Sequence, residues 1–202
     1  MPQVNTLLLE TIKIEDGIIH NIHYHQVRCN KSRKMLFDVK APLELYSQIK
    51  APPKGVYRCR IVYDIQIHSI EYIPYQERDT QSLQIVQSSL EYSHKYAHRE
   101  LLHSLCNTNT DDILIEKNGL LTDTSIANIA FYDGTTWFTP KKPLLEGTIR
   151  SKLLDEGFLQ TKDIKKEELS HYTQVALMNA MIGFKILESL KIYDLQGNIY
   201  DY

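Results

Sequence analysis

The sequence predicts an α+β fold made of two tightly packed α/β units. Three observations support this fold class: strand-like alternation of apolar residues, helix-like spacing between the strands, and turn signals at Asn118-Gly119 and Asp133-Gly134. The chain has 202 residues, 43% of them hydrophobic, which is enough for a well-buried core. We place a smaller N-terminal α+β unit at residues 1–88 and a larger C-terminal α/β unit at residues 89–202.

The first unit is predicted to open with a β-hairpin. Its first strand covers residues 4–14, and Glu15-Asp-Gly17 supplies the turn before a second strand at 18–23. Pro42 suits the first turn of a later helix, which stops before Pro52. The remaining elements predicted for this unit are helices at 24–37 and 42–50 and strands at 56–63, 65–72 and 83–87.

The second unit is predicted to begin with Lys95 at a strand-to-helix junction. Ala97, Leu101 and Leu105 follow at four-residue spacing. Leu102 and Cys106 repeat this spacing one residue later, and the pattern indicates an amphipathic helix. Gly157 is placed to end a later helix. The other elements predicted here are a helix at 148–156 and strands at 112–116, 126–132, 136–139, 175–179 and 185–193.

Composition argues against several classes of function. A formal charge of −2 gives no general affinity for nucleic acid or an anionic membrane. We expect no signal peptide and no membrane-spanning helix, because no basic leader precedes an apolar core and the apolar stretches are short. Cys29, Cys59 and Cys106 are irregularly spaced, which predicts reduced thiols in a cytoplasmic protein.

A histidine cluster near the N-terminus does not predict a metal site. The spacing of His20, His23 and His25 matches no zinc motif, and no cysteine pair lies nearby. We interpret these side chains as polar surface or helix capping, and we expect no bound metal.

Four features occur in an order that suits a pyridoxal-phosphate site. Lys95 is followed by the run 118–128, which contains Asp123, then by 145–150 and by 178–181. A lysine can form a Schiff base, an acid can face the ring nitrogen, and turns of small residues can offer N–H groups to the phosphate. Each feature alone would mean little, but together they predict this cofactor.

With these pieces in this order, the chain resembles the class IV aminotransferases, and among them most closely the aminodeoxychorismate lyases. The resemblance implies the fold of the fold-type IV pyridoxal-phosphate enzymes, exemplified by D-amino-acid aminotransferase. It also implies a homodimer and a small amino substrate. The segments that carry it are Leu9-Glu-Thr-Ile12, Tyr24-His-Gln-Val-Arg28, Lys95 with Arg99, the run 119–128, Thr139-Pro140, residues 145–150 and residues 179–181.

The resemblance assigns roles to three charged residues. Lys95 matches the Schiff-base lysine, whose freed amine also moves the substrate proton. Asp123 matches the acid opposite the pyridine nitrogen, although the family usually has Glu there. Arg28 matches the arginine that binds the cofactor phosphate, a role that suits its forked donors.

Backbone turns are implied to complete the cofactor site. Thr148 and Ile149 match the phosphate-binding turn at a helix N-terminus, in the reverse of the family's usual Ile-Thr order. Ala180 and Met181 match a second turn near the phosphate. Asn128 is expected to orient the strand behind the ring. Arg60 is a candidate contact for the substrate carboxylate, or else a solvated arginine.

Thr11 separates the possible reactions. The lyase branch has a Thr at this position, where its hydroxyl is implicated in protonating the leaving pyruvate fragment. The sequence therefore favours release of pyruvate from aminodeoxychorismate to give 4-aminobenzoate, a step of folate biosynthesis. One alternative is a transaminase for D-amino acids or branched-chain amino acids. Another is a pyridoxal-phosphate-binding protein without turnover, because the chain starts almost directly before Leu9 and the pocket is expected to be more open unless a neighbouring subunit closes it.

Overall fold

The structure is a computed structural model that describes residues 6–106 and 109–202. The chain divides into two compact units, the first formed by Met1–Glu77 with His94–His98 and the second by Arg78–Ser93 with Arg99–Tyr202. Among the described residues, no helix is long and apolar enough to cross a membrane.

The first unit is a four-stranded antiparallel sheet covered by a helix. Its strand order is β2-β1-β3-β4, and all neighbours are antiparallel. The start predicted for the first strand, at residue 4, lies outside the described residues. The strands are β1 (Leu8–Glu15), β2 (Ile18–Ile19), β3 (Val56–Tyr63) and β4 (Ile67–Pro74), and the helices are α1 (Ile22–Phe37) and α2 (Leu45–Gln48).

Alternation along β1 decides which side chains enter the core of this unit. Leu8, Ile12 and Ile14 pack with Cys29 of α1 in one buried cluster, so the even-numbered residues of β1 lie on the face that α1 covers. We call this the α1 face. The odd-numbered residues of β1 lie on the opposite face.

The second unit is a ten-stranded mixed sheet. Eight strands follow the order β10-β9-β8-β7-β6-β5-β13-β14, and β11 pairs with both β8 and β12. The strands are β5 (Ser82–Gln87), β6 (Asp112–Lys117), β7 (Leu120–Thr124), β8 (Asn128–Tyr132), β9 (Trp137–Pro140), β10 (Leu159–Lys162), β11 (Gln174–Asn179), β12 (Gly183–Leu187), β13 (Lys191–Tyr193) and β14 (Ile199–Asp201). The helices are α3 (Glu100–Ser104), α4 (Thr148–Asp155) and a 3₁₀ helix at Lys166–His171.

The division of the chain differs from the predicted boundary at residue 88. Strand β5 pairs in parallel with β6, so it belongs to the sheet of the second unit. The segment His94–His98 returns to the first unit because Tyr96 forms a bridge with Leu8 of β1. A boundary set by composition could not show either long-range pairing.

The helix after Lys95 is shorter than predicted, and it buries Leu102 rather than Leu101. It starts only at Glu100, because Lys95 and Ala97 are hydrogen-bonded to Leu9 of β1 and to Leu7 just before it and are not helical. Leu102 is 3% exposed, whereas Leu101 is 71% exposed. The predicted apolar face is therefore wrong at Leu101, which is exposed, whereas Leu102 is buried as predicted. Strands β7, β10 and β14 were missed, and the strand predicted at 185–193 is interrupted between β12 and β13.

Candidate functional site

One charged residue, Glu10, lies fully buried on the α1 face of β1. Both of its partners come from α1. Arg28 donates from Nε to Oε1 at 2.9 Å and from Nη2 to Oε2 at 2.6 Å, which is a bidentate ion pair. The Nδ1 atom of His25 lies 2.5 Å from Oε2. We call these three residues the Glu10 cluster.

The electrostatics of the Glu10 cluster keep its carboxylate ionised and its imidazole neutral. Burial alone would raise the pKa of Glu10, but the Arg28 charge and the His25 bond outweigh burial and hold that pKa at about 2. Burial lowers the pKa of His25, and this effect outweighs the hydrogen bond and charge of Glu10, which raise it; the Arg28 and Lys95 charges add smaller lowering effects. At neutral pH, Arg28 and Glu10 are therefore a charged pair, and His25 donates from its neutral ring.

The interpretation of His25 as polar surface or a helix cap is wrong, and Glu10 is a charged core residue that the sequence analysis did not predict. His25 has no exposed surface, so it is neither polar surface nor a cap. A usable signal existed, because Glu10 stands at a core position between Leu8 and Ile12. A carboxylate at such a position needs a buried cation, and a helix places residues three apart, such as His25 and Arg28, on one face.

Lys95 lies in the first unit, at the edge of its sheet. Its carbonyl accepts a hydrogen bond from Leu9 N at 2.8 Å, and Ala97 N donates to Leu7 O at 2.9 Å. The Tyr96 N–H donates to His94 O at 3.0 Å, closing a three-residue turn centred on Lys95. The Lys95 side chain is half-buried. The Lys95 charge makes a small contribution to lowering the pKa of His25.

Thr11 and Arg60 lie next to each other on the opposite face of the same sheet. They are paired across β1 and β3, and Thr11 is half-buried. Arg60 Nη1 donates to Glu71 Oε2 at 3.2 Å on β4, so part of its charge is already balanced. The sheet thus separates Thr11 and Arg60 from the Glu10 cluster on the α1 face.

Asp123 is one of the buried carboxylates of the second unit. It lies in β7 directly opposite Asn128 of β8. Asn128 Nδ2 donates to Oδ1 at 2.7 Å, and the Leu145 backbone N–H donates to Oδ2 at 2.9 Å. The same Asn128 amide also donates to Leu145 O at 2.8 Å. Asn128 therefore fixes both the carboxylate and the segment that leads into α4.

Burial raises the pKa of Asp123 to about 6, even though the Leu145 and Asn128 bonds and the Arg150 charge favour the ionised form. A cation brought near this carboxylate would lower its pKa and relieve the cost of burying the charge. The site is thus suited to a cationic group such as a protonated ring nitrogen.

The N-terminus of α4 packs directly against Asn128. A Cβ on Gly147 would lie 1.9 Å from Asn128 Oδ1, so only glycine fits this close approach. Gly147 is the N-cap residue and has no side chain that could cap the helix. Helix N-termini present N–H groups without acceptors inside the helix and favour anions. Thr148 and Ile149 are the first two residues of this helix, as the predicted phosphate role requires.

The turn after β11 holds Ala180 and Met181. Asn179 Oδ1 accepts hydrogen bonds from Met181 N at 2.9 Å and Ile182 N at 3.1 Å. The Met181 N–H is therefore already bonded within the turn. This turn follows Met178, which pairs with Asn128.

The predicted residues thus form separate groups inside the two units. Those of the second unit gather at one end of its sheet, around the β7, β8 and β11 ends and the α4 N-terminus. In the first unit, Arg28 and Lys95 both act on His25, whereas Thr11 and Arg60 lie on the other face of the sheet. The second-unit group comprises Asp123, Asn128, Thr148, Ile149, Ala180 and Met181.

The Glu10 cluster predicts an acid-sensitive contribution to stability. Because the pKa of Glu10 is lowered from 4.5 to about 2, ionised Glu10 stabilises the folded state above pH 4.5, and this contribution is lost as the pH falls towards about 2. The shift corresponds to about 3 kcal/mol. Urea unfolding at a series of pH values should show this loss in the wild type and not in Glu10→Gln. The exposed Glu44→Gln is the control, and parallel wild-type and Glu10→Gln curves would contradict the pairing.

Comparison with known proteins identifies the family. The model of the amino-transferase class IV family matches residues 7–189. An uncharacterized protein of Haemophilus influenzae is 39% identical over 184 residues, covering 87% of this chain and 98% of that protein.

Solved structures share the fold. A candidate 4-amino-4-deoxychorismate lyase from Haemophilus somnus is 36% identical, with a TM-score of 0.79, covering 91% of this chain and 99% of that one. The PLP-bound form of a hypothetical aminotransferase from Mycobacterium tuberculosis has a TM-score of 0.74 at 13% identity, covering 94% of this chain and 85% of that one. The predicted α+β, fold-type IV architecture is confirmed.

The match over residues 7–189 includes all the candidate site residues of both units. The chain therefore belongs to the class IV aminotransferases, a family of pyridoxal-phosphate-dependent enzymes.

Proposed function

We propose that this chain binds pyridoxal 5'-phosphate through Lys95 and releases pyruvate from 4-amino-4-deoxychorismate, giving 4-aminobenzoate. The observation that supports the cofactor most directly is the Asp123 carboxylate. It is buried and fixed by two N–H donors, one of them on Leu145 in the segment that leads into α4. The 36% identical Haemophilus somnus structure supports the choice of lyase.

The residues of the second unit fit the cofactor. Asp123 would face its ring nitrogen, and a positive charge there would offset the burial that raises the pKa of this carboxyl. Thr148 and Ile149 would bind the phosphate at the α4 N-terminus, where Gly147 leaves no side chain in the way. The turn at Ala180 and Met181 would border it. When bound, the cofactor supplies an electron-withdrawing ring that stabilises the carbon losing its proton.

The first unit would supply the reactive amine and the remaining charge. Lys95 would hold the cofactor and then move the substrate proton from the carbon bearing nitrogen. Arg28 would bind phosphate while its Nε and Nη2 atoms hold the Glu10 carboxylate. Neutral His25, bonded to Glu10, would hold this arrangement in place.

The side chain at position 123 suits the lyase better than the transaminase. Asp in place of the family's usual Glu is one methylene shorter, so it would support a protonated ring nitrogen less closely and make the cofactor a weaker electron sink. Formation of an aromatic ring supplies a large driving force in the lyase reaction, so a modest electron sink suffices. Transamination has no such driving force.

Substrate contacts would come from the other face of the first sheet. Thr11 would protonate the leaving fragment, and Arg60 next to it would contact a substrate carboxylate after exchanging its Glu71 bond. A homodimer and a cytoplasmic location are part of the same proposal. The homodimer rests on the family. The cytoplasmic location rests on the free thiols of Cys29, Cys59 and Cys106.

The lyase proposal is tested by supplying aminodeoxychorismate and the cofactor and measuring pyruvate. We expect pyruvate and 4-aminobenzoate in equal amounts. Thr11→Ala should lower the rate by roughly 10²-fold, typical of losing a proton donor, whereas Thr11→Ser should retain most of it. Conversion of D- or L-amino acids to 2-oxo acids without pyruvate release from aminodeoxychorismate would establish the transaminase instead. Cofactor binding with neither reaction would leave only a binding protein.

A further inference from the structure

A hydrogen bond between His94 and Ser32 attaches the segment that carries Lys95 to α1, and neither residue has a role in the proposed reaction. His94, the residue before Lys95, is buried, and its Nδ1 atom lies 3.1 Å from Ser32 Oγ. Ser32 is also buried. The His94 ring stands edge-on to Tyr96, with ring centroids 6.0 Å apart. Residues on both sides of Lys95 are therefore fixed.

The two sides of Lys95 are fixed in different ways. On the C-terminal side, Ala97 N donates to Leu7 O, and the bridge between Tyr96 and Leu8 ties the backbone to β1. On the N-terminal side, the side chain of His94 reaches α1 through Ser32. The three-residue turn between these anchors has Lys95 at its centre.

Helix α1 is a rigid reference for this contact. Ser32 follows Arg28 by four residues, so both lie on the face of α1 that also presents His25. That face is bound to β1 through Glu10. The same helix face therefore holds the carboxylate of β1 and the histidine next to Lys95.

We propose that Ser32 and His94 are positioning residues that hold the Lys95 amine in place relative to the Glu10 cluster. This inference rests on the proposed function, which makes Lys95 the reactive amine. Loss of the contact releases the N-terminal anchor of the turn while the β1 pairing remains, so the half-buried Lys95 side chain gains freedom and access to water.

The test uses the cofactor-free protein, so that it does not depend on turnover. Lys95 and Lys54 are labelled competitively with acetic anhydride over about pH 7 to 10, the range in which lysines deprotonate, and the rates are read by peptide mass spectrometry. Lys54 is an exposed lysine of the same unit and serves as the internal reference.

In Ser32→Ala the labelling of Lys95 relative to Lys54 should rise about fivefold, as expected for the loss of one hydrogen bond, and its pH profile should shift. Ser32→Thr keeps the hydroxyl and should restore the wild-type profile. His94→Leu should raise the labelling of Lys95 as Ser32→Ala does. His94→Asn keeps a polar atom near the Nδ1 position, so its labelling of Lys95 should stay close to that of the wild type. Ser47→Ala, which removes an exposed hydroxyl that donates to Glu44 O, is the control and should change nothing.

Unchanged labelling and pH profile of Lys95 in both Ser32→Ala and His94→Leu would overturn the inference. Equal effects of Ser32→Ala and Ser32→Thr would do so as well, because the effect would then come from packing. Failure of the wild type to bind pyridoxal phosphate would instead contradict the proposed function and leave the labelling comparison valid.

Discussion

Replacing Lys95 by alanine is expected to abolish turnover and the absorbance change that accompanies cofactor binding. The amine has two tasks in the proposed reaction, holding the cofactor and moving the substrate proton. Loss of the proton transfer alone lowers a rate by roughly 10²–10⁴-fold, and loss of the covalent attachment adds to this. The measurement is pyruvate release, together with an absorbance titration with pyridoxal phosphate.

The matched control is Lys54→Ala, which removes an exposed lysine from the same unit. It should bind the cofactor and turn over like the wild type. A Lys95→Ala protein with an unchanged rate would mean that another amine does the chemistry.

Replacing Asp123 by asparagine is expected to lower the rate by roughly 10²–10³-fold, the range found when one buried electrostatic partner of a reacting group is removed. The amide carries no charge to favour a protonated ring nitrogen. It also has a single acceptor oxygen, whereas two donors, Asn128 Nδ2 and Leu145 N, point at the carboxylate. One of these donors would then face an NH₂ group.

Steady-state kinetics of Asp123→Asn at saturating cofactor separate an effect on the chemistry from one on binding. The control is Asp155→Asn, an exposed residue at the end of α4, which should behave as wild type. Equal rates for Asp123→Asn and wild type would show that the ring nitrogen has no partner at position 123.

The fold class could be predicted from the sequence because alternation and turn residues are local signals. Long-range pairing could not. The sequence pattern places strand β5 in the first unit, yet β5 pairs in parallel with β6 and so belongs to the sheet of the second unit. The helix after Lys95 shows how tertiary pairing overrides periodicity, because the hydrogen bonds of Lys95 and Ala97 to Leu9 and Leu7 hold this segment in a non-helical conformation.

In the candidate site, too, the contacts between residues far apart in the chain could not be predicted from the sequence. The ordered motif predicted Asp123 and Asn128 as site residues, and the structure adds the hydrogen bond between them and the bonds that both make to the Leu145 backbone. The sequence predicted that Arg28 binds the cofactor phosphate but did not predict its ion pair with Glu10, because a motif does not show which charged side chains pair with each other. The contact between Ser32 and His94 joins residues 62 positions apart and leaves no trace in local spacing.

The most direct test of the central claim is to add pyridoxal phosphate to the purified protein, reduce it with borohydride and map the labelled peptide. Reduction fixes the cofactor to the amine that holds it. We expect a single modified peptide that carries the label on Lys95. A label on any other lysine, or no label, would contradict the assignment of Lys95 as the residue that holds the cofactor.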